Sequence, residues 1–142
     1  MSIYLICGFP DRNESMTHSH KIDLIAMLEA LRKLLAYANA EPALQLFLPD
    51  HPAIRPLATK FVPKEQRHFV NSWREVPGEV TVVVIGGTDR ELQALESIPQ
   101  EKIVRVFPIA TTGGAAQSAL KSMRGFIDAK TVKVLSDGFS IT

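Results

Sequence analysis

Short apolar segments alternate with helical and loop segments along this chain. The clearest is Val80–Ile85, an almost continuous β-branched run of the kind found in strands that are covered on both faces of a parallel sheet. Ile3–Cys7, Leu44–Leu48 and Ile103–Phe107 are similar runs, and each predicts a buried strand. Thr131–Leu135 predicts a fifth strand near the end of the chain.

Helical patterns separate these strands. Between about Ser19 and Ala38 the leucines recur at the spacing of one helix face, and Asn39 and Pro42 mark the end of that helix. Pro63 opens a second predicted helix, which continues to Val76. Two shorter helices are predicted at residues 89–95 and 115–123, and the prolines between residues 49 and 63 predict a loop.

This alternation predicts an α/β fold of three layers, a Rossmann-like domain with a mostly parallel five-stranded sheet. Right-handed crossovers place helices on both faces of such a sheet. We expect a strand order of about 2-1-3-4-5, in which the first and third predicted strands are neighbours. Ligands bind such sheets outside the carboxyl ends of the strands, at the point where the strand order reverses.

Composition narrows the class of protein. The 142 residues predict one domain, 1–142, and 46% hydrophobic with 22% charged residues is ordinary for a globular protein. A formal net charge of +1 does not favour nucleic acid as a partner. No apolar run reaches membrane-spanning length, and we expect no export signal. The one cysteine, Cys7, cannot pair within the chain. We therefore expect a cytoplasmic protein with no membrane partner.

Small-residue turns follow two of the predicted strands. After Ile103–Phe107 the chain passes through a turn of threonines, glycines and alanine, and after Val80–Ile85 it passes through another short glycine turn. The residues of the two turns are Thr111, Thr112, Gly113, Gly114 and Ala115, and Gly86, Gly87 and Thr88. Backbone N–H groups at the start of a helix attract anions, so these turns predict phosphate binding. The loop from Gly8 to Ser15, which carries Arg12, is expected to face them.

These motifs resemble the SLOG superfamily, Rossmann-like domains related to the lonely-guy cytokinin-activating enzymes and to DNA-processing proteins. The resemblance rests on Gly86-Gly87-Thr88-Asp89-Arg90-Glu91-Leu92 and on Pro108-Ile109-Ala110-Thr111-Thr112-Gly113-Gly114-Ala115-Ala116. It covers about the second half of the chain, and it is best to the nucleotide-sensing branch of bacterial defence systems. It implies a sensor of nucleotide-derived second messengers, such as ADP-ribose derivatives, and self-association of the domain.

The resemblance also assigns roles to individual residues. The lonely-guy enzymes carry the longer turn PGGxGTxxE, of which Gly86, Gly87, Thr88 and Glu91 retain the GGT and Thr-x-x-Glu parts. Related sensors carry a ligand-facing arginine on the helix before this turn, and Arg67 is the candidate here, with Arg74 next. No cofactor is implied. The scattered histidines lack partners at ligand spacing, so no metal site is predicted.

Two alternatives remain open alongside the sensor hypothesis. The chain could be a lonely-guy-like hydrolase that releases the base from a nucleoside monophosphate, with Glu91 as the catalytic residue. It could instead be a protein-interaction or assembly domain with a vestigial crevice. Each glycine turn also has a structural explanation, namely a tight connection between a strand and a helix. Glu91 has one as well, because a carboxylate in the first turn of a helix stabilises that helix.

Overall fold

The computed structural model describes residues 1–9, 18–85 and 89–109. Within these ranges the chain forms a parallel sheet flanked by helices. The strands are β1 (Ser2–Cys7), β2 (Gln45–Pro49), β3 (Arg67–Val70), β4 (Val80–Ile85) and β5 (Ile103–Ile109), and the α-helices are α1 (His18–Ala40), α2 (Arg55–Phe61) and α3 (Asp89–Glu96). Two 3-10 turns, Trp73–Glu75 and Gln100–Lys102, precede β4 and β5.

The five described strands are all parallel, in the order β3-β2-β1-β4-β5. The predicted α/β, Rossmann-like class is therefore confirmed. The four predicted strands that fall in the described residues are β1, β2, β4 and β5, and their relative order is the predicted one. The predicted strand Thr131–Leu135 and the predicted helix at residues 115–123 lie outside the described residues.

Two apolar clusters occupy opposite faces of the sheet, because side chains alternate along each strand. On the first face, α1 and α2 cover Leu5, Val83 and their neighbours, with Leu31, Leu34 and Leu35 of α1 fully buried. On the second face, Leu95 of α3 covers a cluster that includes Val82 and Val84. Each fully buried aliphatic side chain contributes about 1.5–3 kcal/mol. Helices α1 and α3 therefore lie on opposite sides of the sheet.

The segment after Pro63 corrects a sequence prediction. It is not a helix: Arg67–Val70 is the edge strand β3, and the short 3-10 turn Trp73–Glu75 follows it. Phe69 packs against the first face and Val70 against the second, which is strand alternation rather than a helical stripe. These residues form a strand because they pair with the open edge of β2. Such pairing outweighs the local helical preference of the segment.

The proline-rich loop also contains more structure than the sequence predicted. Residues 55–61 form α2, with Pro56 in its first turn, where a missing N–H costs nothing. Ala58 of α2 is fully buried against the first face. The prolines thus start a short helix between β2 and β3 instead of forming a loop throughout.

Candidate functional site

The carboxyl ends of β1 and β4 lie side by side at the centre of the sheet, where the sequence predicts a ligand-binding crevice. The two strands pair directly, with Cys7 opposite Ile85, and the N–H of Gly8 donates to the carbonyl oxygen of Ile85 at 3.0 Å. The helices that follow these strands, α1 and α3, pack on opposite faces. The strand order reverses at this point, which is where parallel sheets of this class bind their ligands. The prediction that these two strands are neighbours in the sheet is confirmed.

Glu91 lies at the carboxyl ends of these two strands. It lies in the first turn of α3, is only 2% exposed, and packs its carboxyl group directly against Gly8. A Cβ placed on Gly8 would overlap the Glu91 Oε1 atom and lie 2.8 Å from its carboxyl carbon. Glycine at position 8 therefore leaves room for the buried Glu91 carboxyl group, which would have to move if a Cβ were added. The structure brings together two residues that the sequence analysis selected separately.

Cys7 lies beside this pair, at the end of β1. Burial raises the pKa of the Cys7 thiol to about 12, and the nearby Glu91 carboxylate raises it further. The backbone N–H groups of Phe9 and Gly8 act in the opposite direction, but burial is the larger effect. The thiol is therefore protonated at neutral pH and has little nucleophilic character.

Polar residues at the end of β2 lie close to the end of β1, and the sequence analysis missed them. His51 lies against Phe9, with the two ring centroids 5.8 Å apart, and Phe9 directly follows Gly8. Asp50 pairs with Arg55 across an Oδ1–Nε distance of 2.8 Å, and Arg55 lowers the pKa of the Asp50 carboxyl group. Their position directly after a strand next to β1 was the available signal. The prolines around these residues predict a loop, but they give no information on the contacts of its side chains.

Arg67 does not join this group. It is the first residue of β3, not a helical residue, and it is paired through Leu46 with the amino end of β1. Four residues of strand, roughly 13 Å, separate that level from Cys7. Its guanidinium Nη1 donates to the carbonyl oxygen of Val62 at 2.7 Å. Arg74, the second candidate arginine, stacks over Trp73 at 4.8 Å.

The remaining candidate residues lie outside the described residues. They are Arg12, Gly86, Gly87, Thr88, Thr111, Thr112, Gly113, Gly114 and Ala115. Their positions along the chain still follow the carboxyl ends of β1, β4 and β5. The phosphate-binding role that the sequence predicts for them stays a prediction.

Neither a cluster of metal ligands among the described residues nor a known relative helps to identify the ligand of this site. In the part of the chain that the structure describes, no three His, Cys, Asp or Glu residues come together as a metal site would require. No helix in the same ranges combines the length and hydrophobicity of a membrane-spanning segment. Neither a family model, nor a curated protein, nor a solved structure matches the chain. The resemblance to the SLOG superfamily therefore rests on the sequence motifs alone.

Proposed function

We propose that this protein binds a nucleotide-derived ligand, such as ADP-ribose or another nucleoside phosphate, in the crevice between β1 and β4. The observation that carries the proposal is the direct pairing of these two strands, with α1 and α3 on opposite faces of the sheet. Parallel sheets of this class bind their ligands where the strand order reverses. The glycine and threonine turns that follow β4 and β5 begin at this same edge.

In this proposal the backbone N–H groups of the two turns hold the phosphates. Gly87, Gly113 and Gly114 contribute N–H groups, while the hydroxyl groups of Thr88, Thr111 and Thr112 add hydrogen bonds. Arg12, in the loop after β1, neutralises charge. The protein acts as a cytoplasmic sensor, and ligand binding changes how copies of the domain associate.

The position of Glu91 supports a binding module over a hydrolase. A general base must reach the water that it activates. The Glu91 side chain is 2% exposed and packs against Gly8, which suits a group that shapes the crevice. The hydrolase alternative predicts release of free base from a nucleoside monophosphate, and loss of that release in Glu91→Gln. Chromatography of the reaction mixture measures both.

Isothermal titration calorimetry with ADP-ribose, ADP and AMP tests the proposal. We expect binding by the wild-type chain and a loss of about tenfold or more in Arg12→Gln, because an arginine–phosphate bond is charge-assisted. Arg67→Gln is the matched control: it removes the same charge at the amino end of β3 and should leave the affinity unchanged. Gly113→Asp should abolish binding by placing a carboxylate in the phosphate turn.

Two results would contradict the proposal. One is the absence of heat with all three ligands, and the other is equal loss of affinity in Arg12→Gln and Arg67→Gln. Sedimentation with and without ligand tests the regulatory part, because an assembly domain with a vestigial crevice would associate to the same extent in both conditions.

A further inference from the structure

The turn after β2, residues 49–55, lies beside the crevice. Tyr4 of β1 pairs with Phe47 of β2, so the two strands reach the same edge of the sheet. The ring of His51 then packs on Phe9, at a centroid distance of 5.8 Å. Phe9 itself is buried and directly follows Gly8. A ligand that occupies the crevice therefore has this turn as its neighbour on the β2 side.

His51 is held rigidly by four hydrogen bonds. Its N–H donates to the Pro49 carbonyl oxygen at 2.9 Å, and its own carbonyl oxygen accepts the N–H groups of Ile54 at 3.0 Å and Arg55 at 2.9 Å. Its ring Nδ1 accepts the N–H of Ala53 at 3.0 Å. Both the backbone and the ring of this half-buried histidine are therefore fixed by the turn.

The bond at Nδ1 determines where the ring carries its proton. A nitrogen that accepts an N–H is not protonated, so in the neutral ring the proton lies on Nε2. Among the residues that the structure describes, Nε2 has no hydrogen-bond partner. His51 is thus an oriented hydrogen-bond donor whose Nε2–H bonds none of the described residues.

Asp50, which directly precedes His51 in this turn, supplies an acceptor. Its Oδ1 atom accepts the Arg55 Nε–H at 2.8 Å, and the Arg55 guanidinium lies over the Phe69 ring at 4.1 Å from the centroid. This arrangement holds the carboxylate in place through Arg55. The second carboxylate oxygen, Oδ2, has no partner among the described residues and can accept a hydrogen bond.

We propose that this turn binds the ribose diol of the nucleotide ligand, an inference that rests on the proposed function. One hydroxyl oxygen accepts the His51 Nε2–H, and a hydroxyl group donates to Asp50 Oδ2. A vicinal diol offers both functions, whereas a phosphate offers only acceptors and would be repelled by the carboxylate. Asp50 and Arg55 cancel each other's charge, which also favours a neutral group. The ribose then lies toward β2 and the phosphates toward β4 and β5.

Three probes separate this inference from the proposed function: ADP, its 2′,3′-dideoxy analogue, and inorganic pyrophosphate. We expect the wild-type chain to bind ADP about tenfold more tightly than the dideoxy analogue, which is about the value of a single net hydrogen bond. His51→Asn should abolish that preference and leave pyrophosphate binding unchanged. An asparagine side-chain oxygen can still accept the Ala53 N–H, because asparagine forms this turn readily. The variant therefore removes the donor and preserves the turn.

His68→Asn is the matched control. His68 lies on β3, stacks on Phe47 at 4.7 Å between centroids, and bonds Gln45, so its replacement should leave the preference for ADP intact. Asp50→Ala provides a second variant if His51→Asn fails to fold, because Asp50 is exposed; it should also abolish the preference.

Each outcome is decisive. Retention of the preference in a folded His51→Asn or Asp50→Ala overturns the ribose assignment alone. Equal wild-type affinity for ADP and the dideoxy analogue does the same and leaves the proposed function standing. If the wild-type chain binds none of the three probes, both proposals fall.

Discussion

The two edges of the sheet use their polar side chains in different ways. At the amino edge, polar groups bond to backbone carbonyl oxygens: Gln66 contacts those of Ala38, Glu41 and Leu44 at 2.7–3.0 Å. Lys102 likewise contacts the carbonyl oxygens of Val76 and Gly78, and Arg67 contacts that of Val62. At the carboxyl edge, Asp50 Oδ2 and His51 Nε2 have no hydrogen-bond partner among the described residues.

This difference has a structural cause. Chain segments that enter a parallel sheet arrive from helix ends, whose last carbonyl oxygens need partners. Gln66 satisfies that need for α1, because its amide bonds carbonyl oxygens at and just beyond the end of the helix. The carboxyl edge leads to the starts of the next helices instead, where sheets of this class bind their ligands. The polar groups of the amino edge therefore stabilise the fold, whereas the carboxyl edge is where we propose that a ligand binds.

The largest effect that we expect at the carboxyl edge of the sheet concerns the reactivity of Cys7. At pH 8 we expect it to react with iodoacetamide about a thousandfold more slowly in the folded chain than in urea, because a pKa near 12 instead of 9.0 lowers the thiolate fraction by about that factor. Mass spectrometry of alkylated protein over time gives both rates. Equal rates would show that the end of β1 is open to solvent.

The same pKa predicts a pH dependence of stability. The folded thiol keeps its proton while the unfolded thiol ionises near pH 9, so the unfolded chain binds fewer protons. The free energy of unfolding therefore falls as the pH rises above about 9. Cys7→Ser should reduce this dependence in urea titrations between pH 8 and pH 10.

A smaller effect is expected from adding a methyl group at Gly8, where it would meet the Glu91 carboxyl group. Gly8→Ala should lower the free energy of unfolding by about 2–3 kcal/mol, because the new methyl group overlaps a buried carboxyl group. In a Glu91→Ala background the same change should cost little. Urea unfolding of the four chains gives the coupling energy. An equal cost in both backgrounds would contradict the contact between these residues.

The smallest effect belongs to the amino edge. Gln66→Ala should lower the free energy of unfolding by about 1–2 kcal/mol, since it removes the side-chain donor that bonds the buried carbonyl oxygens of Ala38 and Leu44. Gln93→Ala, on the exposed side of α3, is the matched control and should change stability by less than about 0.5 kcal/mol. Ligand affinity should be unaffected by either change. A loss of affinity in Gln66→Ala would remove the distinction between the two edges.

Much of the site could be predicted because it lies where regular strands end. Gly8 and Glu91 follow the apolar runs of β1 and β4, and parallel pairing necessarily brings such ends to one edge. Arg67 was misplaced because its role depended on a predicted helix that is a strand in the structure. His51 and Asp50 escaped notice because their value comes from contacts with Phe9, Ala53 and Arg55, which no local pattern records.

The sequence by itself determined the α/β class, the strands β1, β2, β4 and β5, and the relative order of those four strands. Continuous apolar runs can be buried in few ways, and right-handed crossovers restrict how they connect. Only the tertiary structure decided that Arg67–Val70 is a strand, because four residues gain that conformation by pairing with the open edge of β2. It alone also decided that Glu91 packs on Gly8, because two residues 83 positions apart meet only when β1 and β4 become neighbours.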